Sequence, residues 1–97
     1  MEKLWLHSYE SDIPAEIDIT RYQSITDVYQ QSIEKYGSKP AFQNMGKSLS
    51  YTEMGKLIED FASYLQNVLK LPLGDRVAIM MPNVLQYPIA LFGILKA

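Results

Sequence analysis

No cysteine occurs among the 97 residues, so the chain forms no disulfide and offers no thiolate as nucleophile or metal ligand. That absence fits a reducing compartment. Histidine occurs once, at position 7, which rules out a Ser-His-Asp or Cys-His set and any histidine-based metal cluster. Nothing near His7 in sequence partners it, and an exposed or structural imidazole is the plain reading. The five glycines, at 37, 46, 55, 74 and 93, stand apart, so there is no phosphate-cradling loop of the Walker or dinucleotide kind. Charge of one sign is lacking too: nine basic against eleven acidic residues give a net charge of -2. The lysines and arginines are scattered, which removes nucleic acid as a partner. The opening eight residues lack the long apolar core of a secretory signal. A cytoplasmic location is the default expectation.

What the chain does contain is one long uncharged run. Nineteen residues from Val77 to Leu95 carry no formal charge, and such a run is buried in protein, in a partner or in lipid. Lipid would require it to be a single spanning helix. Pro82, Asn83, Gln86 and Pro88 fall in its first half, where they would remove amide donors and set amide side chains in hydrocarbon. The run therefore divides. Val77 to Met81 is predicted as a buried strand bounded by Gly74-Asp75 and Pro82-Asn83. Asn83 is then predicted to cap a helix, with Gln86 completing a capping-box spacing. Apolar residues lie on every side of that helix, the mark of neighbours all round. Its smallest residues share one flank with Gln86: Ala90, Gly93 and Ala97, a surface on which a backbone packs closely. Pro88 lies just past the first turn counted from Asn83, so the helix either starts later than the cap implies or bends at the proline.

Residues 1 to 23 carry Trp5, Tyr9, Ile13, Ile17 and Tyr22 at wide intervals with no sustained period. They read as an extended arm strapped over a surface, since a disordered tail is poorer in aromatics. Ser24 and Asp27 mark a helix start, and Ile25, Val28, Tyr29, Ile33 and Tyr36 recur at helical spacing until Gly37. Pro40 to Asn44 and Lys47 to Ser50 flank Met45-Gly46, an edge-hairpin signal. Ser50 and Glu53 have the spacing of a capping box. Behind them a helix of about residues 51 to 69 is predicted, with Met54, Leu57, Ile58, Phe61, Leu65 and Val68 in one stripe and Lys56, Glu59, Asp60, Ser63, Gln66 and Asn67 opposite. Leu71 to Asp75 breaks it. The fold class is thus α/β, in the order helix, β-hairpin, helix, strand, helix. A strand followed by an apolar helix is two-thirds of a βαβ unit whose returning strand is missing. The expected organisation is an arm over 1–23 and an incomplete domain over 24–97.

Residues able to do chemistry have structural explanations. Glu53 is a cap residue, and Glu59 and Asp60 lie on the solvated face. Asp75 and Arg76 are adjacent at a turn, where a charged pair fixes a loop. Tyr51 at the first helical position packs more often than it binds. No catalytic, cofactor-binding or metal-binding residue is assigned.

Leu49-Ser-Tyr-Thr-Glu-Met54 resembles the first core motif of the adenylate-forming superfamily, which runs Leu, Thr or Ser, Tyr, any residue, Glu, Leu; Met54 departs from it mildly. Gly74-Asp75-Arg76-Val77-Ala78 with Pro82-Asn83 resembles the next landmark, and Leu95-Lys96-Ala97 the opening of the second core motif. Order and spacing agree for all three. Within that superfamily, Arg21-Tyr22-Gln23-Ser24, Pro40-Ala41-Phe42, Asn44-Met45-Gly46, Met80 to Asn83, Leu85 to Pro88 and Ala90 to Leu95 look like the bacterial long-chain fatty acyl-CoA synthetases.

The resemblance implies an N-terminal piece of a large AMP-binding domain. It implies a parent enzyme that uses ATP and magnesium to turn a long-chain fatty acid into an acyl-adenylate and passes the acyl group to coenzyme A. The residues that do this in the family lie beyond these 97, so the chain alone is expected to be inactive scaffold. Peripheral attachment of the parent to the inner membrane follows from the resemblance alone, with no basic amphipathic helix to support it. Two rival readings are a small non-enzymatic interaction module using its apolar C-terminal helix and a membrane-anchored small protein. Self-association of the isolated chain is expected from the apolar helix and the open strand edge.

Overall fold

Ser24 has extended backbone and its Oγ accepts the Asp27 amide at 3.0 Å, while Asp27 Oδ2 accepts the Gln23 amide at 3.2 Å. This reciprocal cap satisfies two amides at the helix start and opens α1, Ile25–Tyr36. In the computed structural model, which describes residues 2–97, α1 is followed by β1 (Pro40–Asn44), β2 (Lys47–Ser50), α2 (Tyr51–Ser63) and α3 (Gln86–Lys96). The expected first helix and hairpin fall at the predicted bounds.

β1 and β2 pair antiparallel, with Phe42 opposite Leu49, Gln43 opposite Ser48 and Asn44 opposite Lys47, and with an irregularity between Pro40 and Phe42. Met45 and Gly46 make the turn at φ 49° and 80°, the left-handed pair that a two-residue hairpin of this twist requires. The hairpin is the whole sheet among the described residues. Ser50 closes β2 and caps α2, its Oγ accepting the Glu53 amide at 3.1 Å. Hairpin and helix therefore meet at one residue.

The core gathers where α1, β2 and α2 converge. Tyr29, Leu49, Met54 and Ile58 form one buried cluster, with Ile33, Ala41, Tyr51, Leu85, Ile89 and Phe92 packed against it. Ile58 is fully enclosed and Met54 is 2% exposed; burial of such side chains stabilises by about 1.5–3 kcal/mol each. α3 lies across α2. Gly93 is buried against Phe61, and a Cβ there would come within 2.6 Å of Phe61 Cδ1. The small flank read from the sequence is thus where the two backbones approach.

Four expectations require correction. The strand over Val77 to Met81 does not form; the segment is irregular. A strand is held by a ladder partner, and neither hairpin strand supplies one. Asn83 does not cap α3, nor does Gln86 complete a box: the helix starts at Gln86 with Leu85 as an uncapped preceding residue. Starting there places Pro88 in the first turn, where its missing amide is not needed. The Asn83 carbonyl instead accepts Asn44 Nδ2 at 2.6 Å, tying the segment before α3 to the hairpin.

The α2 helix does not run regularly to residue 69. It ends at Ser63 and widens into a π-helical turn over Tyr64–Val68. Ala62 and Leu65 are buried, while Leu57 in the regular helix and Val68 in the wider turn are exposed. Finally, the arm is not strapped over the core. It contains a 3-10 turn at Leu4–Ser8, and Trp5, Ile13, Ile17 and Ile19 all remain exposed.

Candidate functional site

Leu49 to Met54 forms a corner in which the side chains of Leu49, Ser50, Tyr51 and Met54 have packing or capping duties. Leu49 and Met54 are core residues. Ser50 is the cap. Tyr51 stacks at a tilt on Tyr36, ring centroids 5.7 Å apart, as a packing residue does. The Tyr51 amide donates to the Lys39 carbonyl at 3.1 Å and the Thr52 amide to the Gly37 carbonyl at 2.9 Å, so the first turn of α2 supplies donors to the α1–β1 connection. The motif closes a three-element junction. Glu53 contributes its amide to the cap, and no return bond from its carboxylate to the Ser50 amide is formed among the described residues.

A second cluster lies where α3 ends. Lys96 Nζ donates to Glu59 Oε1 on α2 at 3.2 Å. Tyr29 of α1 packs on Phe92 of α3 with centroids 5.1 Å apart. The Tyr29 hydroxyl is buried with no hydrogen-bond partner among the described residues, and it stands near enough to Lys96 to favour the ammonium. Burial of the ammonium is the largest single influence on Lys96 and opposes its protonation. The Glu59 carboxylate and the Tyr29 phenol together outweigh it and hold the Lys96 pKa above the ordinary 10.5. Sequence reasoning placed Glu59 on the solvated face and missed this contact, because no local spacing signals a pair 37 residues apart. Asp60 pairs within its own helix with Lys56 at 3.0 Å.

Beside the hairpin, α3 borders an apolar groove of about 310 Å³, lined by Phe42, Asn44, Val84, Tyr87, Pro88 and Leu91 among others. Asp75 and Arg76 do not line it; they lie in an exposed turn held by the Asp75 amide on the Pro72 carbonyl at 3.1 Å. His7 lies within the 3-10 turn of the arm, also exposed. The structure thus brings Tyr51 and Glu53 to the motif corner and leaves His7, Asp75 and Arg76 apart from it.

A nucleotide and magnesium site would need converging backbone donors and acidic oxygens. The described residues do not fit such a site. Their glycines are dispersed, and no group of three or more His, Asp and Glu gathers among them. What this arrangement does is hold three helices and a hairpin in register.

A family model described as AMP-binding enzyme matches residues 29–97, from Tyr29 at the helix junction through the motif corner to Ala97. The chain belongs to the AMP-binding enzyme family. Over all 97 residues it is 52% identical to the long-chain-fatty-acid--CoA ligase of Escherichia coli O157:H7, and 50% identical to those of Salmonella typhimurium strain LT2 and Yersinia pestis. It spans 17% of the length of each of these relatives. No solved structure matches the chain. The mixed helix and hairpin fold is that of a part of an AMP-binding domain. Among the described residues no helix is long and apolar enough to cross a membrane.

Proposed function

We propose that this chain is the N-terminal scaffold of a long-chain fatty acid:CoA ligase. The parent enzyme activates a long-chain fatty acid with ATP and magnesium to the acyl-adenylate, then forms the thioester with coenzyme A. The observation that carries this reading is the identity of about one residue in two that runs through the whole chain to ligases of that name. The motif corner supports the scaffold role, since its residues are spent on capping and packing. The parent's location is read as cytoplasmic, with peripheral attachment to the inner membrane.

A graft tests the assignment. Replacing the matching stretch of the Escherichia coli O157:H7 relative with these 97 residues is expected to preserve ATP-dependent acyl-CoA formation from a long-chain fatty acid. The 97 residues alone are expected to give none. A folded graft without activity, or turnover by the short chain alone, overturns the reading.

Left without the rest of such an enzyme, the chain is inferred to self-associate. Val77, Met80, Met81 and Leu95 remain exposed beside a core too small to cover them, and apolar surface of that extent seeks a partner.

A further inference from the structure

The backbone from Arg76 to Met81 has no partner among the described residues. Neither an amide nor a carbonyl of this stretch enters a backbone hydrogen bond: the turns on either side close through the Asp75 amide on Pro72 and the Val84 amide on Pro82. The side-chain bond nearest in sequence, from Asn44, reaches only the Asn83 carbonyl. Residues 77–81 are all apolar, so water that satisfies this backbone does so at the expense of apolar exposure. The side chains already take sides. Met80 is 97% exposed, whereas Val77, Ile79 and Met81 are each more than half covered. Residues i, i+2 and i+4 on one face are the pattern of a strand with one side packed. The packed side rests on helices, since Val77 shares a hollow of about 210 Å³ with Leu65 of the π turn and with Ile94 and Leu95 of α3. The segment has a strand's side-chain pattern and lacks only a strand's neighbour.

Successive free amides and carbonyls are satisfied by another extended backbone, which a small apolar ligand or a lipid tail does not supply. The chain's own hairpin does not pair with the segment. A second copy brings the same donors and acceptors in the same order, and two like strands laid antiparallel are self-complementary about a two-fold axis. Charge selects the direction. A parallel pair in register sets Asp75 on Asp75 and Arg76 on Arg76, like charges directly opposite. The antiparallel pair centred on Ile79 sets Arg76 against Pro82, whose missing amide ends the ladder, and Asp75 against Asn83. Area is available as well. The chain exposes 8028 Å², whereas a compact monomer of 11.1 kDa exposes about 5,700 Å², and one partner in a standard interface contributes about 800 Å².

We propose that residues 77–81 of two copies of the chain pair as an antiparallel two-stranded ribbon, with Ile79 opposite Ile79, Val77 opposite Met81 and Ala78 opposite Met80. This deepens the self-association inferred above and rests on it: it names the partner as a second copy and the surface as this one segment. The ribbon carries Val77, Ile79 and Met81 of both copies on one face, over their own helices. Such backing is what a two-stranded ribbon needs in order to be stable in water. Ala78 and Met80 fall on the other face, in solvent.

The register makes its own test, because Ala78 and Met80 are both exposed and lie opposite one another only in this pairing. The 97-residue chain is diluted through the micromolar range, where an interface of moderate affinity dissociates, and followed by sedimentation and by amide hydrogen exchange. The expected result is a dimer whose formation slows exchange at residues 77–81. Ala78→Lys with Met80→Lys sets like charges opposite in two cross-strand pairs and is expected to weaken dimerisation about tenfold. Ala78→Lys with Met80→Glu sets an ammonium against a carboxylate in both pairs and is expected to return the affinity to within about threefold of the parent. Both variants change only exposed side chains, so circular dichroism is expected to show unaltered helix content. A monomer at every concentration overturns both self-association and strand pairing. A dimer that exchanges amides 77–81 as fast as the monomer, or one that bears both charge patterns equally, overturns the pairing alone. Growth beyond the dimer into long assemblies shows parallel stacking and likewise overturns it.

Discussion

The helix junction and the two irregular stretches, residues 2–24 and 69–85, are both supplied with large apolar side chains, yet only the junction buries them. Tyr29, Leu49, Met54, Ile58, Ala62 and Leu65 are all buried, whereas Ile17, Ile19, Leu73 and Met80 are close to fully exposed. Hydrophobicity does not separate the two groups. Backbone bookkeeping does. A helix satisfies its own amides and carbonyls, so enclosing one of its faces leaves no polar group stranded. An irregular segment must find its hydrogen bonds elsewhere, and the two-stranded hairpin has none to lend the Val77 to Met81 stretch. Its apolar side chains wait on a neighbour that supplies backbone as well as cover.

The strongest way to break that comparison is to mutate both sides of it alike. Ile58→Ala removes a wholly enclosed side chain and is expected to lower unfolding stability by about 2–5 kcal/mol, read from the denaturant midpoint. Leu73→Ala, at a residue 95% exposed, is expected to fall within about 0.5 kcal/mol of the parent. Equal effects would mean that the irregular stretch is buried in solution. Next in size is Gly93→Ala. The added methyl meets the Phe61 ring at 2.6 Å, and such overpacking costs about 1–3 kcal/mol. Phe61→Leu in the same chain is expected to recover part of that loss; no recovery would show that α3 does not rest on Phe61.

Legibility in the sequence follows the same division. α1, the hairpin and the start of α2 were readable because their signals are local: Ser24 and Ser50 as caps, Met45-Gly46 as a turn, apolar residues at helical spacing. The close packing of α3 was readable from the small flank that includes Gly93. The strand at Val77 was misread because five apolar residues between turns describe a strand only if an edge is there to pair with, and the edge is not encoded in the segment. The cap at Asn83 was misread because Pro88 decides the helix start from further along the chain. The π turn at Tyr64–Val68 carries no composition signal, and two residues of the expected stripe, Leu57 and Val68, are exposed. The Lys96–Glu59 pair and the Asn44–Asn83 bond join residues distant in sequence and had no local trace. The motif corner was legible as a resemblance before its capping and packing duties were visible.

A smaller effect sharpens the junction side. Lys96 has its pKa raised in the folded chain, through Glu59 and Tyr29 acting against burial. A raised pKa means that the folded state binds the proton more tightly. The associated stability is therefore fully present below the unfolded value of 10.5 and is lost as pH rises through the folded value. With both side chains partly exposed the contribution is about 0.2–1 kcal/mol. Denaturant midpoints at pH 9 and above pH 11 are expected to differ more in the parent than in Lys96→Met, and high salt to reduce the difference. An identical pH dependence in the two proteins would remove the pair from any role in holding α3.

A change of similar size concerns a strained position that belongs to neither region. Met45 holds φ 49° at the hairpin turn with its side chain wholly in solvent. A left-handed conformation costs an ordinary residue about 1 kcal/mol, and asparagine bears it more easily through local hydrogen bonding. Because nothing packs on this methionine, its replacement changes the backbone preference and little else. Met45→Asn is therefore expected to raise stability by a few tenths to about 1 kcal/mol. The hairpin positions Leu49 and Ser50 for the motif corner, so the gain is expected to appear as slower amide exchange in β1, β2 and the first turn of α2, with residues 2–24 unchanged. A gain spread equally into the arm would show that arm and junction are one cooperative unit, and the contrast between them would then lie in exposure alone.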